Sequence, residues 1–309
     1  MTALNSPSAP LVAQALPSAE AEHSASTRRS YESAWKAWSS WADAHGVDIL
    51  PASPAAVAAY LTDRAEECKM PTVRMAVAAI AAAHRASEHD NPVAHPAVKA
   101  VIKSLGHQAA EAGTAQPRQA GALTDDALAA IRAHACTPRP HARGRMESAA
   151  HAQARGLVDI ALCQVMADAG LRRSEAASLI WADVQRKKDG SGLLLIRRSE
   201  TDSQGEGAVV VITKRAMRDL AAIRQGADAG ASVFGLSAVQ INRRIKAVAL
   251  AAGLGDGFGG HSGRVGLARR MVAKQAPLPT IMRQGRWASS QMVARYTPNE
   301  SAGAALRYL

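Results

Sequence analysis

Apolar residues first fall into a helical rhythm from Thr27, where Tyr31, Trp35, Trp38 and Ala42 share one face before Gly46 offers a stop. Ser53-Pro54 then sets a capping hydroxyl ahead of a proline at the first helical position, and Val57, Tyr60 and Leu61 mark the apolar face of a second helix. A third helix is predicted over 72–87, and a fourth carries Val98, Val101, Ile102 and Leu105 up to Gly106. No strand signal interrupts the four, so residues 27–107 read as a small all-helical domain. The Tyr/Trp stripe of the first helix has the spacing of a core face, which outweighs its reading as a base-stacking platform.

From His107 the pattern fades into Gln, Ala, Gly and Pro without a period, and residues 108–122 read as a linker. Thr124 then caps a helix carrying Leu128 and Ile131. The stretch 135–155 is irregular; it and its flank hold His134, Cys136, His141 and His151, whose spacing matches no zinc-ligand pattern and reads as loop. A buried helix follows over 156–169, with Gly170 as a left-handed cap, then a short helix over Ser174–Leu179. Leu193–Arg198 and Ala208–Thr213 are apolar and rich in β-branched or aliphatic residues; with Gly205 and Gly207 between them they predict a hairpin. Thr213, Ser237 and Ser262 read as further helix caps. The fold class expected is mainly α: an all-helical N-terminal domain, then a mostly helical domain over 123–309 with one small antiparallel β-sheet.

Composition narrows the partners. The 309 residues suffice for two domains, and 37 Lys and Arg against 26 Asp and Glu give a formal charge of +11, which suits a polyanion. Three cysteines (Cys68, Cys136, Cys163) at wide spacing argue against a disulfide framework and for a reducing compartment. No run of eighteen apolar residues is present, so no membrane span is expected. Residues 1–26 are rich in Ala, Ser and Pro, lack the order of a secretion signal, and read as a disordered tail. A cytoplasmic protein is expected.

The candidate chemistry lies in a scattered set. Arg172 sits in Ala169-Gly170-Leu171-Arg172-Arg173-Ser174-Glu175. The others crowd the C-terminal end, as His261-Ser262-Gly263-Arg264, Gly285-Arg286-Trp287 and Ala294-Arg295-Tyr296-Thr297. Two permanently charged guanidiniums, two further hydrogen-bond donors and a phenol can hold a phosphodiester, neutralise its developing charge and attack phosphorus. Trp287 can donate one hydrogen bond but cannot move a proton near neutral pH. Tyr308 is a rival phenol, without the flanking motif.

These sub-motifs, their order, and the steps of 26 residues from His261 to Trp287 and nine more to Tyr296 resemble the tyrosine recombinases, the phage integrase family, and within it the Cre-like members. Clear resemblance covers residues 165–309; upstream it is one of architecture. It implies a core-binding domain over 27–107 that clamps DNA against the catalytic domain. Arg172, His261, Arg264 and Trp287 would then surround the scissile phosphate, with Glu175 orienting the arginines and Tyr296 as nucleophile. The implied product is a 3′-phosphotyrosyl bond, formed with no metal, ATP or other cofactor by a homotetramer on double-stranded DNA with inverted-repeat sites. It also implies a location on the nucleoid, in a bacterial, plasmid or phage setting.

One position departs from the pattern. The family places a general-acid lysine in the β-hairpin, where this chain has Arg198-Ser199-Glu200-Thr201-Asp202. Glu200 is anionic at neutral pH and repels a phosphate. Lys187 and Lys188, before the hairpin, are the alternative proton donors. Two other readings stay open: a catalytically impaired DNA-binding relative, favoured by Glu200, and a type IB topoisomerase with the same chemistry. The tail Ser301–Leu309 suggests a short helix docking on a neighbouring protomer through Leu306 and Leu309.

Overall fold

The computed structural model describes residues 25–114, 119–140, 144–197 and 207–297. Glu200, His141, Tyr308 and the tail Ser301–Leu309 lie outside the described residues. The chain divides into two compact units, Met1–Arg118 and Gln119–Leu309.

The first unit is all helical: α1 (Ala25–His45), α2 (Pro54–Glu67), α3 (Met70–Ala86), a 3-10 turn at Pro92–Ala94 and α4 (Pro96–Glu111). Ser53 caps α2 as its sequence predicts, its Oγ accepting from the Ala56 N–H at 3.1 Å. Trp35, Trp38 and Ala42 are buried against Val57, Tyr60, Leu61, Val73 and Ile80, so these members of the stripe are core, while Tyr31 is half-buried. His84 is fully buried and ties two segments: Nε2 accepts from the Ala52 N–H at 2.9 Å, and Nδ1 faces the Ile80 carbonyl at 2.8 Å. Helix α4 does not stop at Gly106 but runs to Glu111, so residues 108–111 are helix, not linker. A glycine inside a helix costs only about 1 kcal/mol relative to alanine, and Val98 and Leu105 bury enough apolar surface to offset that.

The second unit is mostly helical with one small sheet. It comprises α5 (Asp125–His134), α6 (Ala149–Ala169), α7 (Arg173–Ser178), a 3-10 turn at Trp181–Asp183, strands β1 (Val184–Arg186), β2 (Gly192–Ile196) and β3 (Ala208–Ile212), and then α8 (Lys214–Arg224), α9 (Ala238–Ala251), α10 (Ser262–Ala273), α11 (Leu278–Gly285) and α12 (Ser290–Tyr296). The sheet is antiparallel in the order β1-β2-β3, with Val184 opposite Leu194 and Leu194 opposite Val210. Leu194, Ile196, Val210 and Ile212 face the core, while Val209 and Val211 stay exposed. Among the described residues no helix is long and apolar enough to cross a membrane.

Helix α6 is the axis of this unit. It is buried from Asp159 through Ala169 and packs against α8, α10 and β3. It begins seven residues earlier than its apolar pattern announces, because the Ser148 Oγ accepts from the His151 N–H at 3.2 Å and the Ala-rich turn behind it is a strong helix former. Gly263 lets α10 lie on the backbone of α6: a Cβ there would sit 2.5 Å from the Met166 carbonyl oxygen. Part of the stretch read as linker belongs to this unit, since the Gly121 N–H donates to the Gly257 carbonyl at 2.8 Å and the Leu123 N–H to that of Ser262 at 3.2 Å. Ser262 is not a cap. It is the first residue of α10, fully buried, and its hydroxyl accepts from the Gly259 N–H at 2.9 Å, which leaves His261 at the cap position.

Candidate active site

The end of α6 sets up the site. Gly170 takes the left-handed conformation (φ +57°) that its sequence position predicts, and α6 stops there. The turn leaves the Gly170 carbonyl pointing at α10 and α11, where Arg264 Nη1 donates to it at 2.9 Å and Arg286 Nη2 at 3.3 Å. Two residues on, Arg172 stands at the cap position of α7. Its backbone N–H donates to Glu175 Oε2 at 2.8 Å, and its Nη1 to Oε1 at 2.9 Å. Glu175 thus reaches back over the helix start as a capping glutamate does, and also pins the arginine side chain.

Glu175 has a second cation. Arg286 Nη2 donates to Oε2 at 2.6 Å, and Arg286 Nη1 to the Ala169 carbonyl at 3.0 Å. The cluster is nearly dry: Glu175 is 4 % exposed, Arg264 2 %, and the side chains of Arg286 and Arg172 10 % and 16 %. Burial, aided by the neighbouring Arg172, lowers the pKa of Arg264 to about 10, and burial likewise lowers that of Arg286. Both remain cations at neutral pH. The three guanidiniums outnumber the one carboxylate by two charges.

Trp287 and Tyr296 complete one side. The Arg264 guanidinium lies over the Trp287 ring, 5.0 Å from its centroid, and the Trp287 and Tyr296 rings are 5.8 Å apart. Trp287 is buried against Leu267, Ile281 and Val293, and its ring packs so closely on Gly285 that a Cβ there would overlap it. The Trp287 indole N–H is buried without a hydrogen-bond partner. Tyr296 ends α12, within electrostatic reach of Arg264. His261 stands exposed at the start of α10, one turn from Arg264. Its turn is fixed by the Gly260 N–H donating to Asn242 Oδ1 at 2.8 Å. The structure therefore gathers Arg172, Glu175, Arg264, Trp287 and Tyr296, and puts His261 at their edge.

Lys187 and Lys188 are exposed in the turn between β1 and β2. Lys187 lines a cavity of about 620 Å³ with Asp168, Arg270 and Gln284; Arg172, Arg264, Trp287 and Tyr296 line no part of it. Asp168 in that cavity wall is a structural tie. Its carboxylate accepts from Thr213 Oγ1 at 2.6 Å, Arg270 Nη1 at 3.0 Å and Gln164 Nε2 at 3.0 Å. The sequence motifs do not mark Arg286 as a site residue, although it lies inside the Gly285-Arg286-Trp287 segment. The one available signal was its place directly after a helix end, where glycine is usual.

The arrangement can bind an oxyanion in a dry pocket beside a phenol. Its sequence fits that chemistry: the profile described as the phage integrase family matches residues 142–302, just over half of the chain. An integrase/recombinase XerD homologue from Selenomonas ruminantium is 27 % identical over 293 residues, covering 87 % of this chain and 80 % of the relative. Among solved structures, the Tn1549 transposon integrase in complex with transposon right-end DNA aligns with TM-score 0.66 at 12 % identity, over 97 % of this chain and 98 % of that one. A lambda integrase tetramer bound to a Holliday junction aligns with TM-score 0.62 at 17 % identity, over 94 % and 78 %. These last two likenesses are of fold.

Proposed function

The chain belongs to the phage integrase family of site-specific tyrosine recombinases, and on that premise we propose that it cuts and rejoins double-stranded DNA through Tyr296. The buried cluster of Arg172, Arg264 and Glu175 beside that phenol carries the reading. Arg172 and Arg264 hold the two non-bridging oxygens of the scissile phosphate. Glu175 keeps Arg172 in place from behind. The buried, unpartnered Trp287 N–H supports a further contact to phosphate, because an unsatisfied buried donor costs about 1–3 kcal/mol that such an acceptor would recover.

In the reaction the Tyr296 oxygen forms a bond to phosphorus as the P–O5′ bond breaks. The phenolic proton passes to His261, and the 5′-oxygen takes up a proton as it leaves. The bond energy is kept in the 3′-phosphotyrosyl link, so rejoining needs no nucleotide and the chemistry needs no metal. The first unit, with Lys99 and Lys103 exposed on α4, serves as the core-binding domain. The active assembly is a tetramer on paired inverted-repeat sites; the similar lambda integrase, a tetramer bound to a Holliday junction, supports the tetramer. A second reading, a DNA-binding protein of impaired activity, is favoured by Glu200 at the general-acid position. The test is a suicide DNA substrate built on a site selected from a random duplex library. The wild-type protein forms a covalent adduct and Tyr296→Phe binds without forming one. An adduct on Tyr296→Phe moves the nucleophile elsewhere, and binding without an adduct in either protein supports the second reading.

A further inference from the structure

Arg286 is not explained by helix geometry. It follows α11 with φ +53°, a conformation that costs a residue with a Cβ about 1–2 kcal/mol and glycine nothing. The turn itself needs no side chain: the Arg286 N–H donates to the Arg283 carbonyl at 3.2 Å and the Trp287 N–H to that of Met282 at 3.0 Å. What the arginine adds is in the site. Its guanidinium takes Glu175 Oε2 at 2.6 Å, the shortest of the bonds to that carboxylate, and shares the Gly170 carbonyl with Arg264. It therefore touches the support of each of the other two guanidiniums.

Charge gives this contact its meaning. With Glu175 opposite Arg172 and Arg264 alone, the group would carry one net positive charge, and Arg172 would be drawn toward its carboxylate. Arg286 returns one positive charge to it. A phosphodiester carries one negative charge, and attack by a phenolate raises its non-bridging oxygens toward two. Each positive charge returned to the pocket favours the second state over the first, which is what accelerates the step.

We propose that Arg286 is a positioning residue for phosphoryl transfer: by compensating Glu175 it leaves Arg172 and Arg264 with their charge directed at the phosphodiester. This rests on reading the cluster as a phosphodiester site. Arg286 itself stays behind the pair, bonded to Glu175 and two backbone carbonyls.

The experiment compares single-turnover cleavage by the full chain and by Arg286→Gln on two suicide substrates. One has an ordinary scissile phosphate and the other a methylphosphonate, which lacks one non-bridging charge in every state. Arg286→Gln should slow the phosphate substrate by about 10²-fold, the scale of losing one preorganised charge partner, and leave the methylphosphonate rate little changed. Arg286→Lys, which keeps the charge and loses the fork, should fall between the two on phosphate. Equal slowing on both substrates makes Arg286 a folding element only, and equal rates on phosphate leave it no role; either result overturns the proposal. If the wild-type chain cleaves neither substrate, the recombinase reading fails, and the charge argument is decided without catalysis. Inorganic phosphate should then raise the unfolding temperature of the wild type more than that of Arg286→Gln, and an equal rise overturns it.

Discussion

Removing the Glu175 carboxylate should turn Arg286 from a stabilising into a destabilising residue. In the native cluster one buried anion faces Arg172 at 2.9 Å and Arg286 at 2.6 Å, and Arg264 shares a carbonyl with Arg286. Glu175→Ala leaves three cations around a dry space. Breaking a buried ion pair costs about 3–5 kcal/mol, and two unit charges about 4 Å apart repel by about 4 kcal/mol at the effective dielectric of a protein. Arg286→Ala in the wild-type background removes a hydrogen-bonded partner of Glu175, so it destabilises. In the Glu175→Ala background it removes a repelling charge, so it should restore about 1–3 kcal/mol, within the coupling range of contacting residues. The four proteins of this double-mutant cycle can be compared by urea unfolding, read through hydrogen exchange in α6 and α10 so that only the second unit is scored. If Arg286→Ala is equally destabilising in both backgrounds, the cluster is held by packing and the charge argument is wrong.

Gly170→Ala combines a left-handed backbone with a Cβ 2.7 Å from Leu267 Cδ2, so it should cost clearly more than Gly253→Ala, where φ is +73° and nothing lies within 4 Å. Thermal unfolding of the two variants checks it; equal losses would remove the steric part of the account. Burial holds the pKa of His84 below its ordinary value, helped by nearby His89. The folded state therefore resists protonation. Stability of the first unit should be level above pH about 6.5 and fall as pH drops below it; hydrogen exchange in α3 reads this, and a flat profile down to pH about 5 refutes it. Glu200→Lys should speed cleavage of ordinary DNA by up to about 10²–10⁴-fold if that position supplies the proton. A 5′-bridging-sulfur substrate, whose leaving group needs no proton, should cleave alike in both proteins. Equal rates on ordinary DNA would send the search to another donor.

Local signals placed most of the helices because each had its own punctuation. Ser53, Thr124, Thr213 and Ser237 all cap where the sequence sets them, each hydroxyl accepting an N–H three residues on. The errors came where a tertiary partner took over a local group. Ser262 looks like a cap, but the Gly259 N–H claims its hydroxyl. Gly106 looks like a stop, but Leu105 before it is buried and Ala109 after it packs, partly buried, on the same core. The start of α6 carries Ala, His and Gln and so lacks an apolar period, although its composition favours helix. Strand β1 has three residues, two of them exposed, and pairs only because β2 is there to meet it.

The candidate site was legible for a different reason. Arg172, Glu175, Arg264, Trp287 and Tyr296 each stand in a short segment whose neighbours shape the turn or helix start that aims them, such as Gly170 before Arg172 and Gly263 beside Arg264. Arg286 had no such frame. In the sequence it is one of many arginines, and its place after a helix end does not tell a guanidinium facing solvent from one closing a buried carboxylate. Its partners, Ala169, Gly170 and Glu175, lie more than a hundred residues away along the chain. They meet only because α6, α7 and α11 converge at one point. Motif reading recovers residues whose role is set by their own turn; it loses those whose role is to complete the charge of another. Arg286 is of the second kind, and the sign of its effect on stability depends on Glu175 more than on its own surroundings.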